Sequence, residues 1–167
     1  NFINKILIYE KNPSLTNFAK NAGLFGFDLD GSTPAEQCKI YIDNTYIPSS
    51  WTMTNVYDSH SGNHQTNVIA SLNAGQNLMN HADHSGSDFM GTGYVNHGIG
   101  LGNTDIDELM NGNKQGIFYS MGCDPAAYDS SNCIGEHFVQ NSNGGGVAFI
   151  GNSRYGWYYV GSTDTLS

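Results

Sequence analysis

Basic residues are scarce in this 167-residue chain: 6 Lys and Arg stand against 15 Asp and Glu, for a formal net charge of −9. Nucleic-acid affinity comes largely from clustered Lys and Arg. No such cluster exists here, so a nucleic-acid partner is excluded. Apolar runs are short too, and none approaches the ~18 residues that mark a bilayer-spanning helix. No membrane segment is expected. Cysteine is sparse, with Cys38, Cys123 and Cys133 and no CxxC pair. That is too few for a disulfide scaffold and wrongly spaced for a structural zinc site. An odd count leaves at least one thiol outside any disulfide within the chain. A phosphate loop of the GxxxxGK[ST] kind is missing, and Gly98-Ile-Gly100-Leu-Gly102 lacks the strand-then-helix frame of a nucleotide site. Asn1–Glu10 shows no basic region followed by a long apolar stretch, so no signal peptide is expected there. A start at Asn rather than Met points to a segment of a longer protein.

What is present suffices for one core: 38% of residues are hydrophobic, and the length fits a single domain over 1–167. Lys5–Glu10 reads as a first buried strand, with a helix as the rival because Ile3, Ile6 and Leu7 also fit helical spacing. Leu15–Ala22 reads as a short helix ending at Gly23, and Leu24–Gly31 as a strand running into an acidic turn. Pro34–Ile42 has helical spacing, with Ser32 or Thr33 as its cap. Trp51–Tyr57 alternates as a strand does. Thr66 is placed as the cap of a helix over Asn67–Asn73. Gln76–Asn80 is the next strand and leads into a His-rich loop, His81–His84. Residues 85–103, rich in Gly, Ser and Asn, read as an irregular surface insertion. Thr104 caps an expected helix over Asp105–Met110, Gly116–Met121 is a strand ending at Gly122-Cys123, Ile134–Gln140 a helix, and Val147–Ile150 a last strand. This alternation predicts an α/β fold with a largely parallel sheet. In such sheets the active site lies beyond the carboxyl ends of the strands.

Two strands end in reactive residues: one runs into His81–His84, the other into Cys123. A cysteine nucleophile needs a nearby base or cation to favour its thiolate, and a His at the same sheet edge supplies one. The backbone N–H groups of Ser85 and Cys123 are then placed to face a substrate carbonyl oxygen. Other chemistries compete. His81, His84 and Asp83 allow a metal-dependent hydrolase, although HxxH on a loop lacks the helical geometry of HExxH. A catalytically silent domain used for binding or assembly is the third reading. His60, His64 and His97 read as exposed loop residues and His137 as a partly buried helix residue. Cys38 and Cys133 read as core thiols, and a Cys123–Cys133 disulfide would abolish nucleophilic function.

The segments Asn80-His-Ala-Asp-His84-Ser85-Gly and Ser120-Met-Gly-Cys123, then Gly122–Tyr128, Asn132–Phe138 and Gly145–Trp157, together with Thr66–Gly75, resemble the gingipain-like cysteine peptidases. These belong to the same broad group as caspases and legumains. The family's hallmark is a His-Gly pair after one strand and an Ala/Gly-Cys pair after the next. The resemblance implies a caspase-like three-layer α/β/α sandwich with a mostly parallel sheet. It implies a cysteine endopeptidase in which Cys123 attacks the peptide carbonyl, through a thioester acyl-enzyme, while His84 protonates the leaving amine. The Ser85 and Cys123 amides would hold the oxyanion. The loop after the last strand, with Asn152, Ser153, Tyr155 and Trp157, would line the pocket for the side chain before the cut bond. Asp28, with Asp30 behind it, is the candidate acidic partner of His84, and either carboxylate would favour a basic substrate side chain.

One departure is plain: Ser85 stands where the family has Gly, and it lacks glycine's access to positive φ. Asp124 follows the nucleophile directly, and its charge would oppose thiolate formation unless the side chain points away. By resemblance the partner is a peptide or protein substrate, with further domains of a longer precursor, and the location is extracellular or at the cell surface. No cofactor is required. Calcium is compatible with the many Asp and Asn residues as a structural ion, with no ligands assigned.

Overall fold

A computed structural model of the protein describes residues 2–93, 100–130 and 132–164. Five strands form one parallel sheet in the order β2-β1-β3-β6-β7: β1 Asn21–Gly26, β2 Thr52–Tyr57, β3 Leu78–Ala82, β6 Gly116–Ser120 and β7 Gly146–Gly151. The short pair β4 Phe89–Gly91 and β5 Gly100–Gly102 is antiparallel and separate. Helices α1 Phe2–Lys11, α2 Glu36–Tyr46, α3 His64–Ala74, α4 Asn103–Asp107 and α5 Ile134–Gln140 flank the sheet. The expected α/β class with a parallel sheet is the observed one. The chain adds β2 on one side of β1 and then β3, β6 and β7 on the other. That reversal places a crevice outside the carboxyl ends of β1 and β3.

The larger core lies on one face, where Phe25, Met79, Phe118 and Phe149 from the sheet meet Val68 and Leu72 of α3, Ile106 of α4 and Phe138 of α5. Phe118 stacks on Phe149 at 5.5 Å and meets Phe138 edge-on at 5.4 Å, geometries that add to plain area burial. Leu29, Ala35, Cys38 and Ala82 form a smaller cluster with α2, packed by Met121 and Tyr158.

Three segments differ from expectation. Lys5–Glu10 belongs to the helix α1, not to a strand. Its buried residue is Lys5, whose ammonium reaches the carbonyls of Phe138, Val139, Asn141 and Gly144 at 2.9–3.3 Å, while Tyr9 donates to the Asn77 side chain. Burial pushes the Lys5 pKa down to about 8. The four carbonyls, at the end of α5, are what hold a cation there. A polar anchor therefore sets the docked side, which an apolar pattern does not reveal. Ala22 and Gly23 lie inside β1, preceded only by a 3-10 turn at Asn17–Lys20. As an inner strand β1 is covered on both faces, and a Cβ on Gly23 would sit 2.6 Å from the Phe25 ring.

Residues 85–103 are no surface insertion where described, because Met90 of β4 and Leu101 of β5 are fully buried. The glycines permit close packing: a Cβ on Gly91 would lie 2.6 Å from the Asp83 carboxyl. His97 and part of the Gly98–Gly102 cluster fall outside the described residues.

The caps also move. Asn63 caps α3 by accepting from the Thr66 N–H at 2.9 Å, and the Asp105 carboxylate accepts from the Gly102 N–H at 2.8 Å ahead of α4. Thr33 accepts the Gly161 N–H at 2.8 Å and so ties down the C-terminal segment instead of capping α2.

Candidate active site

The loops after β1, β3, β6 and β7 meet at one sheet edge. Because β3 and β6 pair in parallel with His81 opposite Ser120, His84 and Cys123 each lie three residues beyond a matched pair. The Met121 N–H donating to His81 O at 3.2 Å carries that alignment past the last paired residue. Both residues line one cavity of about 340 Å³. Leu29, Asp83, Met121, Gly122, Gly156, Trp157, Tyr158 and Val160 complete its wall.

His84 is held from two sides. Its Nε2 is 2.7 Å from Leu29 O, and a carbonyl only accepts, so Nε2 carries the proton and the neutral ring has its lone pair on Nδ1. Its ring also meets Tyr158 edge-on at 6.4 Å. Asp83 shapes the backbone: Oδ1 accepts from the His84 N–H at 2.6 Å and Oδ2 from the Gly93 N–H at 2.7 Å. The Cys123 thiol is half-buried and 3.8 Å from Gly156 O. Cys38 and Cys133 are buried elsewhere, and none of the three thiols is in a disulfide.

Ser85 resolves the family departure. Among the described non-glycine residues only Asp124 and Asn132 have positive φ, so position 85 makes no demand for glycine. Its hydroxyl donates to Cys123 O at 2.9 Å and fills the space over Gly122. A Cβ on Gly122 would overlap that hydroxyl and lie 2.8 Å from Ser85 Cβ. Ser85 is bridged to Met90, and that pairing runs through the N–H groups of Gly86 and Gly91, leaving the Ser85 amide outside the ladder.

The other expected residues separate. Trp157 lines the cavity although it is 83% exposed, whereas Tyr155 lies outside that lining and packs edge-on against Trp157 at 6.2 Å. Ser153 is exposed. Asn152 braces the loop that carries Cys123, its amide donating to Met121 O at 2.9 Å and Gly122 O at 3.0 Å. Asp28 is in the loop after β1, where its N–H donates to Asp58 Oδ2 at 2.9 Å. Asp30 accepts from the Tyr158 hydroxyl, Thr33 and the Ser32 N–H, contacts that hold its carboxyl below the usual range, the Ser32 bond most of all. Asp124 has φ of 59° and lines a different cavity from the one that holds Cys123.

Sequence reasoning missed the carbonyl of Leu29 and the wall formed by Tyr158 and Val160. A backbone oxygen leaves no mark in residue type.

His81 is not a metal ligand. It is fully buried, with Nε2–H donating to Gly91 O at 2.7 Å and Nδ1 accepting from Ser120 Oγ at 2.9 Å. Burial drives its pKa down to about 4, with the buried Lys39 ammonium adding to the effect. No group of three or more His, Cys, Asp or Glu suited to a metal exists among the described residues. His64, expected in an exposed loop, is buried, stacked on Phe27 at 5.5 Å and bonded to His60 O at 2.7 Å. No helix among the described residues is long and apolar enough to cross a membrane.

Comparison with known proteins fits this geometry. No curated protein matches the chain. Three solved structures share its fold. One is described as the Arg-specific cysteine proteinase gingipain R (RgpB), with a TM-score of 0.72 and 18% identity over 95% of this chain. Another, a complex of the Porphyromonas gingivalis RgpB pro- and mature domains, has a TM-score of 0.69 and 19% identity over 92%. A third, described only as a protease, has a TM-score of 0.80 and 20% identity over 99%. The chain spans 38%, 37% and 39% of those three chains, respectively. Identity this low shows fold alone. The family model for Peptidase family C25, however, matches residues 1–166, and with His84 and Cys123 at adjoining strand ends inside that match, the chain belongs to Peptidase family C25.

Proposed function

We propose that this chain carries the catalytic centre of a cysteine endopeptidase, with Cys123 as nucleophile and His84 as its acid and base. The observation that carries the reading is the placement of both residues three positions beyond a paired His81 and Ser120, lining one cavity. With Nε2–H held by Leu29 O, Nδ1 of His84 takes the proton of the Cys123 thiol. The sulfur attacks the peptide carbonyl carbon, and the developing oxyanion is held by the N–H groups of Ser85 and Cys123. The C–N bond breaks as His84 returns the proton to the leaving amine, which leaves a thioester on Cys123. His84 then takes a proton from water, the hydroxide displaces the sulfur, and the acid product departs.

Each proton and electron pair moves among thiol, imidazole, substrate and water, so no cofactor is required; a bound calcium ion would act on structure only. Asp30, bonded to Tyr158 of the cavity wall, supports a preference for a basic side chain before the cut bond. We further take the chain to be one catalytic domain of a longer precursor that works outside the cell or at its surface.

Cys123→Ala and His84→Ala assayed on a mixed peptide library test the centre. The expected result is loss of cleavage in both and inactivation of the parent by iodoacetamide. Cleavage undiminished in both variants would overturn the dyad. Inactivation by a chelator but not by the thiol reagent would point to a metal hydrolase instead. A parent without turnover would favour a silent binding domain.

A further inference from the structure

We propose that the open cavity beside Asp124 is a second substrate subsite, which takes the side chain following the cut bond and favours Lys or Arg there. This rests on the peptidase reading above. The cavity, about 440 Å³, is lined among the described residues by Ser87, Asp124, Ala127, Asp129, Ser130 and Arg154. Three loops build both this cavity and the one that holds Cys123. The β3 loop contributes His84 to one and Ser87 to the other. The β6 loop contributes Cys123 to one and Asp124 to the other, and the β7 loop Trp157 and Arg154.

The two cavities therefore flank the Cys123–Asp124 peptide. A substrate whose carbonyl carbon sits at the Cys123 sulfur, with its preceding side chain against Trp157, runs its other end toward Asp124. The left-handed backbone of Asp124, φ 59°, and its N–H bonded to Arg154 O at 2.8 Å fix the turn that separates the two walls.

Charge sets the preference. Arg154 and Asp129 form a two-point pair at 3.0 and 2.7 Å, so their charges offset each other. Asp124 is the remaining carboxylate of the lining, and the Ser87 and Ser130 hydroxyls add neutral hydrogen-bonding capacity. An open site is well solvated, so the discrimination is modest: about fivefold between Lys and Asp, the scale of an exposed ion pair.

Three peptides identical except for Lys, Ala or Asp after the cut bond test this by their kcat/KM ratios. Comparing two substrates on one variant cancels any change in Cys123 reactivity. In the parent, the Lys/Asp ratio is expected near ~5 at low salt, and to shrink in about 1 M salt, where the screening length falls to about 3 Å. Asp124→Asn should bring the ratio close to one, whereas Arg154→Gln should raise it above the parent's. Opposite responses of this kind do not arise from a loosened loop. A flat ratio in the parent, or one indifferent to both substitutions, overturns the subsite while leaving the peptidase reading intact. Failure of the parent to cleave any peptide, here and on the mixed library, overturns the peptidase reading and the subsite with it.

Discussion

His81 and His84 lie three residues apart on the same strand-to-loop passage, and the fold uses them in opposite ways. His81 is the last residue of β3 paired with β6. It is sealed among Phe27 and Phe118, with both ring nitrogens engaged and its charged form disfavoured. His84 is past the sheet edge, with one nitrogen steadied by Leu29 O and the ring facing the cavity of Cys123. The difference teaches that a position past the sheet edge leaves an imidazole in a cavity wall, with one nitrogen steadied by a backbone carbonyl. With both nitrogens spent in a dry interior, it is a fastening between strands.

The largest effect expected from this contrast is on turnover. His84→Ala should lower kcat/KM by about 10²–10⁴, the usual weight of a general acid–base group, with little change in melting temperature. His81→Leu should do the reverse. It strips the Ser120 hydroxyl and Gly91 carbonyl of a buried partner and should cost about 2–3 kcal/mol of stability by denaturant titration. If His81→Leu abolished turnover in a fully stable protein, or His84→Ala unfolded it, the division of roles would be wrong.

Acid is a gentler probe of the same contrast. His81 titrates near 6.5 when unfolded and about 4 when folded. Above pH 6.5 both states are neutral and its contribution is fully present. As pH falls toward about 4 the unfolded chain binds the extra proton, and stability declines by up to about 3 kcal/mol. Denaturation midpoints between pH 7 and about 4 should show this slope, and His81→Gln should flatten it.

The contact that joins the two loops should give a smaller signal. Gly122→Ala places a methyl against Ser85 and should cost roughly 1–3 kcal/mol, with part recovered in the Ser85→Gly background. Additive costs would show that the two residues do not share that space. Ser85→Ala alone, removing the bond to Cys123 O, should cost about 1 kcal/mol.

Much of the frame was legible from pattern. Alternating or apolar runs bounded by turn residues marked β2, β6 and β7, and Ile134–Gln140 is a helix over the bounds read from spacing. Elements that depend on distant partners were not. Lys5 makes α1 a docked helix through carbonyls more than 130 residues away. Ala22 and Gly23 are strand residues because neighbours cover both faces of β1, and the Gly-rich stretch around Met90 and Leu101 enters the core because glycine lets backbones approach. In the site, His84 and Cys123 stood out as reactive types beyond strands. Tyr155 and Tyr158 could not be told apart by residue type, yet only Tyr158 lines the cavity.

By itself, then, the sequence determined an acidic α/β domain with a histidine and a cysteine at strand ends, because strand periodicity and reactive residue types are local properties. Only the tertiary structure decided that β3 and β6 are neighbours in matched register, which brings those ends to one cavity. It alone decided that the Leu29 carbonyl orients His84, that Ser85 fits because Gly122 has no side chain, and that Asp124 lines a separate cavity from Cys123. Each of these is a relation between segments, set by sheet order, burial and backbone turns that no single stretch of residues encodes.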